Sequence, residues 1–307
     1  MGGFAVSDVT FLSPSRLATY ADCPRKFDYN YAQEIEAPDE TRLYLNQGRT
    51  YHETIEAVCE VTEPDDDPET ISDRAMEAFP EKWKEHLDPD EYASRAHQEY
   101  QRRENRAAIE SFFDPDGGDG IEHARRSIAT ERWLECVRDG FGLRGKADNI
   151  LQTDEGLHVI DYKRTLSSVI TANTADVLED HFDQSDHDAK RVRNAFQIAT
   201  YVEGLKQSDL YDDEMSVQFS FYGLLNRRSF HSTPNGYEIS VRGYPRETTA
   251  IYEKYHDTIW GLIERAHEGI TSRSHDPEPF PLINDEACPD CTYSGMCADY
   301  LSEEVRR

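Results

Sequence analysis

Asp148, Asp161 and Lys163 are the residues of this 307-residue chain whose types and spacing could do chemistry together. Two carboxylates offer hard oxygen ligands for Mg²⁺ or Mn²⁺. An ammonium beside them can place an attacking water and meet developing negative charge, which is what hydrolysis of a phosphodiester requires. The aspartates are 13 positions apart on neighbouring expected strands, so a hairpin can bring both to one end of a sheet. Lys163 follows Asp161 by two and so shares its strand face. An Asp-x-Lys triplet alone is a weak signal, and another stands at Asp188 and Lys190. Context separates them: Asp161 ends the apolar run Leu157, Val159, Ile160, whereas Asp188 lies in a polar tract.

Other residues could complete such a site. Gln197 and Tyr201 are four apart on an expected helix and share a face, with Arg191 and Arg193 a turn earlier. His52 lies on an N-terminal helix, where it is either an imidazole ligand or an ordinary packing residue. Four cysteines stand near the extremities: Cys23, then Cys288, Cys291 and Cys297 in a Cys-x2-Cys-x5-Cys run. Four thiolates can hold an iron-sulfur cluster or zinc. The layout, one ligand 265 residues before the other three, suits a cluster tying the chain ends better than a zinc knuckle, and disulfides rank last. Cys59 and Cys136 read as buried small hydrophobes.

The elements that must position these groups follow from periodicity. Ser13 and Ser15 can cap a helix to about Gln33; helices are expected from near Gly48, over Ser72 to His86 and over Asp90 to Phe113. Asp114 to Gly120 reads as a linker. Strands follow over Ile128 to Val137, Phe141 to Leu151 and Leu157 to Tyr162, joined by turns at Asp139-Gly140 and Asp154-Glu155-Gly156. A polar, acid-rich insertion spans Leu166 to Asp188, ahead of a helix from Lys190 to Lys206. Strands at Val217 to Leu224 and Tyr237 to Val241 are joined by a turn at Pro234-Asn235-Gly236, and a helix from Pro245 to Glu268 precedes the last cysteines.

Against 33 Lys and Arg stand 61 Asp and Glu, a net charge of −28 spread over every expected helix. Aromatics at 11% and regular apolar periodicity argue for a folded chain. The global acid excess fits a cytoplasmic protein of a high-salt cell, where salt screens self-repulsion. The same balance speaks against broad phosphate contact, so nucleic-acid binding would rest on local cations such as Lys163-Arg164, Lys190-Arg191 and Arg227-Arg228. Neither a membrane span nor an export signal is expected.

In order, Leu12 to Leu17 leading to Tyr20 and Cys23-Pro24, Gly48 to His52, Gly145 to Asp148, Ile160 to Lys163, Gln197 to Tyr201 and the terminal cysteine run resemble the RecB-like branch of the PD-(D/E)XK nuclease superfamily. Its four-cysteine members include RecB-family exonucleases and the CRISPR-associated RecB-like exonucleases that trim new spacers. The resemblance implies an α/β fold: a restriction-endonuclease-like core with a central mixed sheet flanked by helices over residues 121–270, a helical region over 1–120 and a C-terminal cluster segment over 271–307. It implies that His52, Asp148, Asp161 and the carbonyl of Tyr162 bind Mg²⁺ or Mn²⁺, that Lys163 orients the water, and that Gln197 and Tyr201 flank the site, with Glu131 an auxiliary acid. Cys23, Cys288, Cys291 and Cys297 would hold a 4Fe-4S cluster. The implied activity is metal-dependent exonucleolysis of DNA, at single-stranded ends, in repair or recombination, with a helicase or CRISPR adaptation proteins as partners. Spacer processing and a non-catalytic DNA-binding scaffold are the alternatives. The helices from Ser72 to Phe113 and the insertion have no counterpart in the compact CRISPR members.

Overall fold

Proline punctuates the first helix. The ring of Pro24 disfavours helical backbone at the preceding residue, and Cys23 is extended, with φ −163° and ψ 118°. The single helix expected to run to Gln33 is therefore α1 (Pro14–Asp22), capped by the Ser13 side chain, the short α2 (Pro24–Phe27), and a π-helical turn over Asp28–Ala32. The break turns the Cys23 thiol out of the helical repeat. In the computed structural model residues 9–37, 43–233 and 236–306 are described.

Three further helices precede the sheet: α3 (Leu43–Val61), α4 (Pro68–Glu85), capped by Asp67, and α5 (Arg95–Phe112), capped by Ser94. The expected linker holds the start of a fourth, α6 (Asp119–Arg126). Its eight residues were hidden among glycines. Gly120 is there because its Cα lies against the Phe112 ring, where a Cβ would sit 2.7 Å from Cδ1.

The expected meander forms as β2 (Ser127–Arg138), β3 (Phe141–Gln152) and β4 (Gly156–Lys163). Its first turn has Asp139 at φ 50° and Gly140 at φ 90°, both left-handed as a two-residue hairpin loop demands. The short β1 (Phe11–Leu12) pairs parallel with β3, and β5 (Ser216–Thr233) pairs parallel with β4. Parallel pairing needs a crossover, which α7 (Val177–Phe182) and α8 (Ala189–Lys206) provide. Then β6 (Gly236–Glu247) pairs antiparallel with β5, giving a mixed sheet ordered β1-β3-β4-β5-β6 with β2 on β3. The last two strands run well beyond the expected spans, and Pro234 and Asn235 of the expected turn lie outside the described residues.

Strand alternation sends Leu157, Val159, Phe219 and Phe221 to one face, where they pack with Leu17, Phe196 of α8 and Ile263. Ile160, Tyr162 and Tyr222 go to the other face, against Tyr51, Ile109 and Phe112 of the N-terminal helices. Helices therefore cover both faces. The insertion is not a solvated loop: Leu166, Val169, Ile170, Ala175 and Leu178 are buried in the first of these cores. Its apolar residues, spaced among acids, show no periodicity to read. The chain closes with α9 (Thr249–Lys254), α10 (His256–Thr271), α11 (Phe280–Glu286) and α12 (Ala298–Arg306). No helix among the described residues is long and apolar enough to cross a membrane.

Candidate active site

The register Asn149↔Ile160 between β3 and β4 sets Asp148 opposite Asp161, one step beyond the last paired position. Asp148 Oδ2 accepts a hydrogen bond from the Tyr162 backbone N–H at 2.8 Å. Lys163, at the end of β4, brings its Nζ to 2.6 Å from Asp161 Oδ2. From α8, the Gln197 side-chain N–H donates to Asp161 Oδ1 at 3.0 Å, and its Oε1 accepts from Lys163 Nζ at 3.4 Å. One amide thus grips both members of the Asp-x-Lys pair. Tyr201, one turn on, donates its hydroxyl to the Lys146 carbonyl at 3.0 Å, tying α8 to β3.

His52, on α3, approaches from the opposite face of the sheet's end. Its Nδ1 is 3.3 Å from Asp148 Oδ1 and its Nε2 3.0 Å from the Tyr162 carbonyl oxygen. Glu131 completes this side. It is opposite Asp148 by the β2–β3 register Thr130↔Asn149 and Arg132↔Ala147, stands at φ 50°, and pairs with Lys146. A left-handed glutamate inside a strand is a strained backbone.

Burial drives the electrostatics. Asp161 is 3% exposed, and desolvation, opposed by Lys163, pushes its carboxyl up to about 6. Burial alone would lower the His52 imidazole, but the Asp148 charge outweighs it and raises the ring to about 9. Asp148 would likewise rise on burial; the His52 charge holds it below the ordinary carboxylate value.

A divalent cation fits this donor set. Ligand atoms of His52, Glu131 and Asp148 lie within 4.8 Å of one another. The buried Asp161 Oδ2 already faces a cation, the Lys163 ammonium at 2.6 Å. The expected ligands His52, Asp148 and Tyr162 are thus together, and Glu131 stands closer to them than its auxiliary label suggested, while the Asp161 carboxylate turns to Lys163 and Gln197.

Sequence reading missed a second constellation beside it. Glu104 of α5 is fully buried, its Oε2 3.1 Å from Arg164 and its Oε1 2.7 Å from Arg228. Arg164 follows Lys163, so α5 holds the exit of β4. Both arginines were visible as cations, but nothing marked Glu104 among the charges of its helix as the buried one.

At the chain ends, Cys23, Cys288 and Cys297 are buried, Cys291 is half-buried, and all are free thiols. Burial first, then the neighbouring Cys288 and Cys291 sulfurs, push the Cys23 thiol up to about 12. Cys288 is raised to about 11, again by burial and then by Cys291 and Cys297. The Cys23 thiol thus feels the charge of Cys288 and Cys291, and Cys288 that of Cys291 and Cys297. Around them Arg25 bonds Asp276 at 2.8 Å and Asp299 at 2.9 Å, joining the two ends independently. Cys59 and Cys136 are buried apart from these four, as small hydrophobes.

A solved structure of a provisionally assigned exonuclease from Eubacterium rectale is similar to the chain, with a TM-score of 0.49 and 11% identity over 88% of each chain. No curated protein matches it. The model of the PD-(D/E)XK nuclease superfamily matches residues 11–298, which take in β1, the whole sheet, His52, both aspartates, Lys163 and all four terminal cysteines. The chain belongs to the PD-(D/E)XK nuclease superfamily.

Proposed function

We propose that this protein is a metal-dependent deoxyribonuclease of the RecB-like kind, an exonuclease acting at single-stranded DNA ends in repair or recombination. The observation that carries the reading is the junction of His52, Asp148 and Glu131 with Asp161, Lys163 and Gln197 at one end of the sheet. His52, Asp148, Asp161 and the Tyr162 carbonyl, with Glu131, would hold Mg²⁺ or Mn²⁺. Bound there, the cation would supply Lewis-acid polarisation of the phosphate and charge neutralisation.

The remaining work falls to the chain's own groups. Lys163 donates N–H bonds to the attacking water and to a nonbridging phosphate oxygen, so that negative charge grows beside a fixed ammonium. Asp161, 2.6 Å away, keeps that ammonium in place and accepts from the water. Gln197 fixes the rotamers of both. Tyr201 sets the depth of α8.

Cys23, Cys288, Cys291 and Cys297 are proposed to hold a 4Fe-4S cluster. One thiol from the α1–α2 break joins three from a single C-terminal segment, a layout suited to closing the chain on itself. A role in repair is preferred to spacer trimming, because α4, α5 and the packed insertion enlarge the chain beyond the compact CRISPR-associated members.

Asp161→Ala protein assayed with end-labelled single- and double-stranded DNA, in Mn²⁺ and matched salt, should lose at least about a hundredfold in rate. Degradation at the wild-type rate would sink the assignment. Calorimetric absence of Mn²⁺ binding by wild type would favour the scaffold alternative. Anaerobically purified protein should be brown and hold iron and labile sulfide in equal amounts; colourless protein with stoichiometric zinc would overturn the cluster alone.

A further inference from the structure

The outer half of the β5–β6 hairpin is a part of the sheet that the catalytic centre does not use. With Lys163 opposite Gly223 in the parallel β4–β5 register, β5 continues past the catalytic end of β4 into an arm exposed from Arg227 to Thr233. One face of the arm lies on α5: Phe230 stacks on Tyr100 at 6.2 Å, Arg103 sits 5.7 Å over the Tyr237 ring, and Arg228 reaches Glu104. The other face carries Arg227 opposite Arg242, Ser229 opposite Ser240 and His231 opposite Glu238.

Like charges directly opposite in an antiparallel pair destabilise it. Arg227 and Arg242 are both exposed, and neither has an ion-pair partner among the described residues. The Arg227 guanidinium lies 5.9 Å from the Tyr244 ring, which holds it without neutralising it. In a chain with 61 acids against 33 Lys and Arg, an unneutralised arginine pair in register reverses the background. A polyanion would remove the repulsion.

Direction and reach fit the substrate. Arg242 shares its pleat face with Tyr244, which packs on the α8 side of the sheet, the side of Asp161, Lys163 and Gln197. Arg227 is four residues beyond Gly223. A bulge takes up two of those residues, because Gly223 pairs with Tyr244 and Arg227 with Arg242, only two β6 residues away. At about 3.3 Å per residue the pair stands roughly 7 Å from the level of Lys163, or about two nucleotides at about 3.4 Å each along a duplex.

We propose that Arg227 and Arg242 form a grip for the backbone phosphates of the nucleic-acid strand, a short way along it from the scissile bond. The inference rests on the nuclease reading for its ligand, and its test is separable from it. Binding of a fluorescent 20-nucleotide single strand is measured by anisotropy in EDTA, across a KCl titration, for wild type, Arg227→Gln/Arg242→Gln and Arg227→Lys/Arg242→Lys. The Gln variant should bind about tenfold more weakly, with a log affinity versus log salt slope shallower by about 1.4, while the Lys variant keeps the wild-type slope. Hydrolysis of bis(p-nitrophenyl) phosphate in Mn²⁺ should be equal in all three, and the Tm of the Gln variant should match or exceed that of wild type. Equal affinity and slope for the Gln variant, or a fall in its Tm, would overturn the grip. Wild type that binds the strand yet hydrolyses neither DNA nor the small diester would refute the nuclease reading, and the same titration would still decide the grip. Wild type that binds no nucleic acid at all would end both.

Discussion

Glu131 shows at one position what the site costs the fold. Its left-handed backbone, φ 50° in the middle of β2, breaks the ladder opposite Asp148 and aims a carboxylate at His52. Such a conformation costs a non-glycine residue on the order of 1–3 kcal/mol, and glycine adopts it freely. Glu131→Gly should therefore hold or raise stability, offset only by the exposed Lys146 pair, which is worth under about 1 kcal/mol. The same change should weaken Mn²⁺ binding about tenfold or more, since it deletes a proposed ligand. Thermal melts and calorimetric Mn²⁺ titration of one variant check both halves. A drop in Tm with unaltered Mn²⁺ affinity would mean that Glu131 shapes the strand and does not serve the metal.

Elements deliver these residues through close approaches that tolerate little. Gly145 lets α8 sit directly on β3: a Cβ there would meet Tyr201 Cε1 at 2.6 Å. Gly145→Ala should push Tyr201 off the Lys146 carbonyl and cost about 1–3 kcal/mol by overpacking. Because the same helix carries Gln197, turnover should fall with stability, whereas Tyr201→Phe, losing one hydrogen bond, should cost about 1 kcal/mol and keep more activity. Urea midpoints and rates for the two variants separate register from hydrogen bonding; equal rates in both would refute that link.

In α7, His181 is buried against His187, with ring centroids 4.9 Å apart. Burial chiefly, then His187, lowers its imidazole from the ordinary value to about 4. A folded pKa below the unfolded one means that the neutral ring stabilises the fold fully above about 6.5 and loses that contribution as pH falls towards 4, about 2 kcal/mol by pH 5. His181→Gln should flatten the loss of stability between about pH 7.5 and pH 5. Parallel wild-type and variant curves would assign the acid sensitivity elsewhere.

The same scale decides what was legible in the sequence. The meander could be read because alternation, two turn signals and the Asp148–Asp161 spacing agreed. The helix break at Cys23 could have been read from Pro24. Burial of the insertion, the length of the β5–β6 arm and the Glu104 clamp could not, because each depends on which faces meet after folding, and an acid-rich surface composition masks the few apolar residues that decide it.

For the molecule as a whole, the charge of −28 acts in two opposite directions. Many arginines are already matched locally, as Arg102 and Arg103 are by Glu99 and Arg106 is by Glu110. The excess carboxylates therefore repel one another across the whole surface. Raising ionic strength from about 0.01 to 1 M shortens the screening length from about 30 to 3 Å, which removes most of that repulsion. Tm should rise by several degrees over this range, alike in KCl and NaCl if screening is the cause. Binding of a nucleic-acid strand runs the other way, because each phosphate contact releases counterions and weakens as salt rises. Activity is the product of a folded fraction that grows with salt and an affinity that shrinks with it, so the rate on DNA at a fixed, subsaturating concentration should pass through a maximum at intermediate salt. Hydrolysis of a small diester, which makes no distant phosphate contacts, should follow stability alone and climb to a plateau. Measuring both substrates across one KCl series tests the account: coincident profiles would mean that the acid surface and the strand contacts are not opposed, and a Tm that fell with salt would remove the surface repulsion on which the prediction stands.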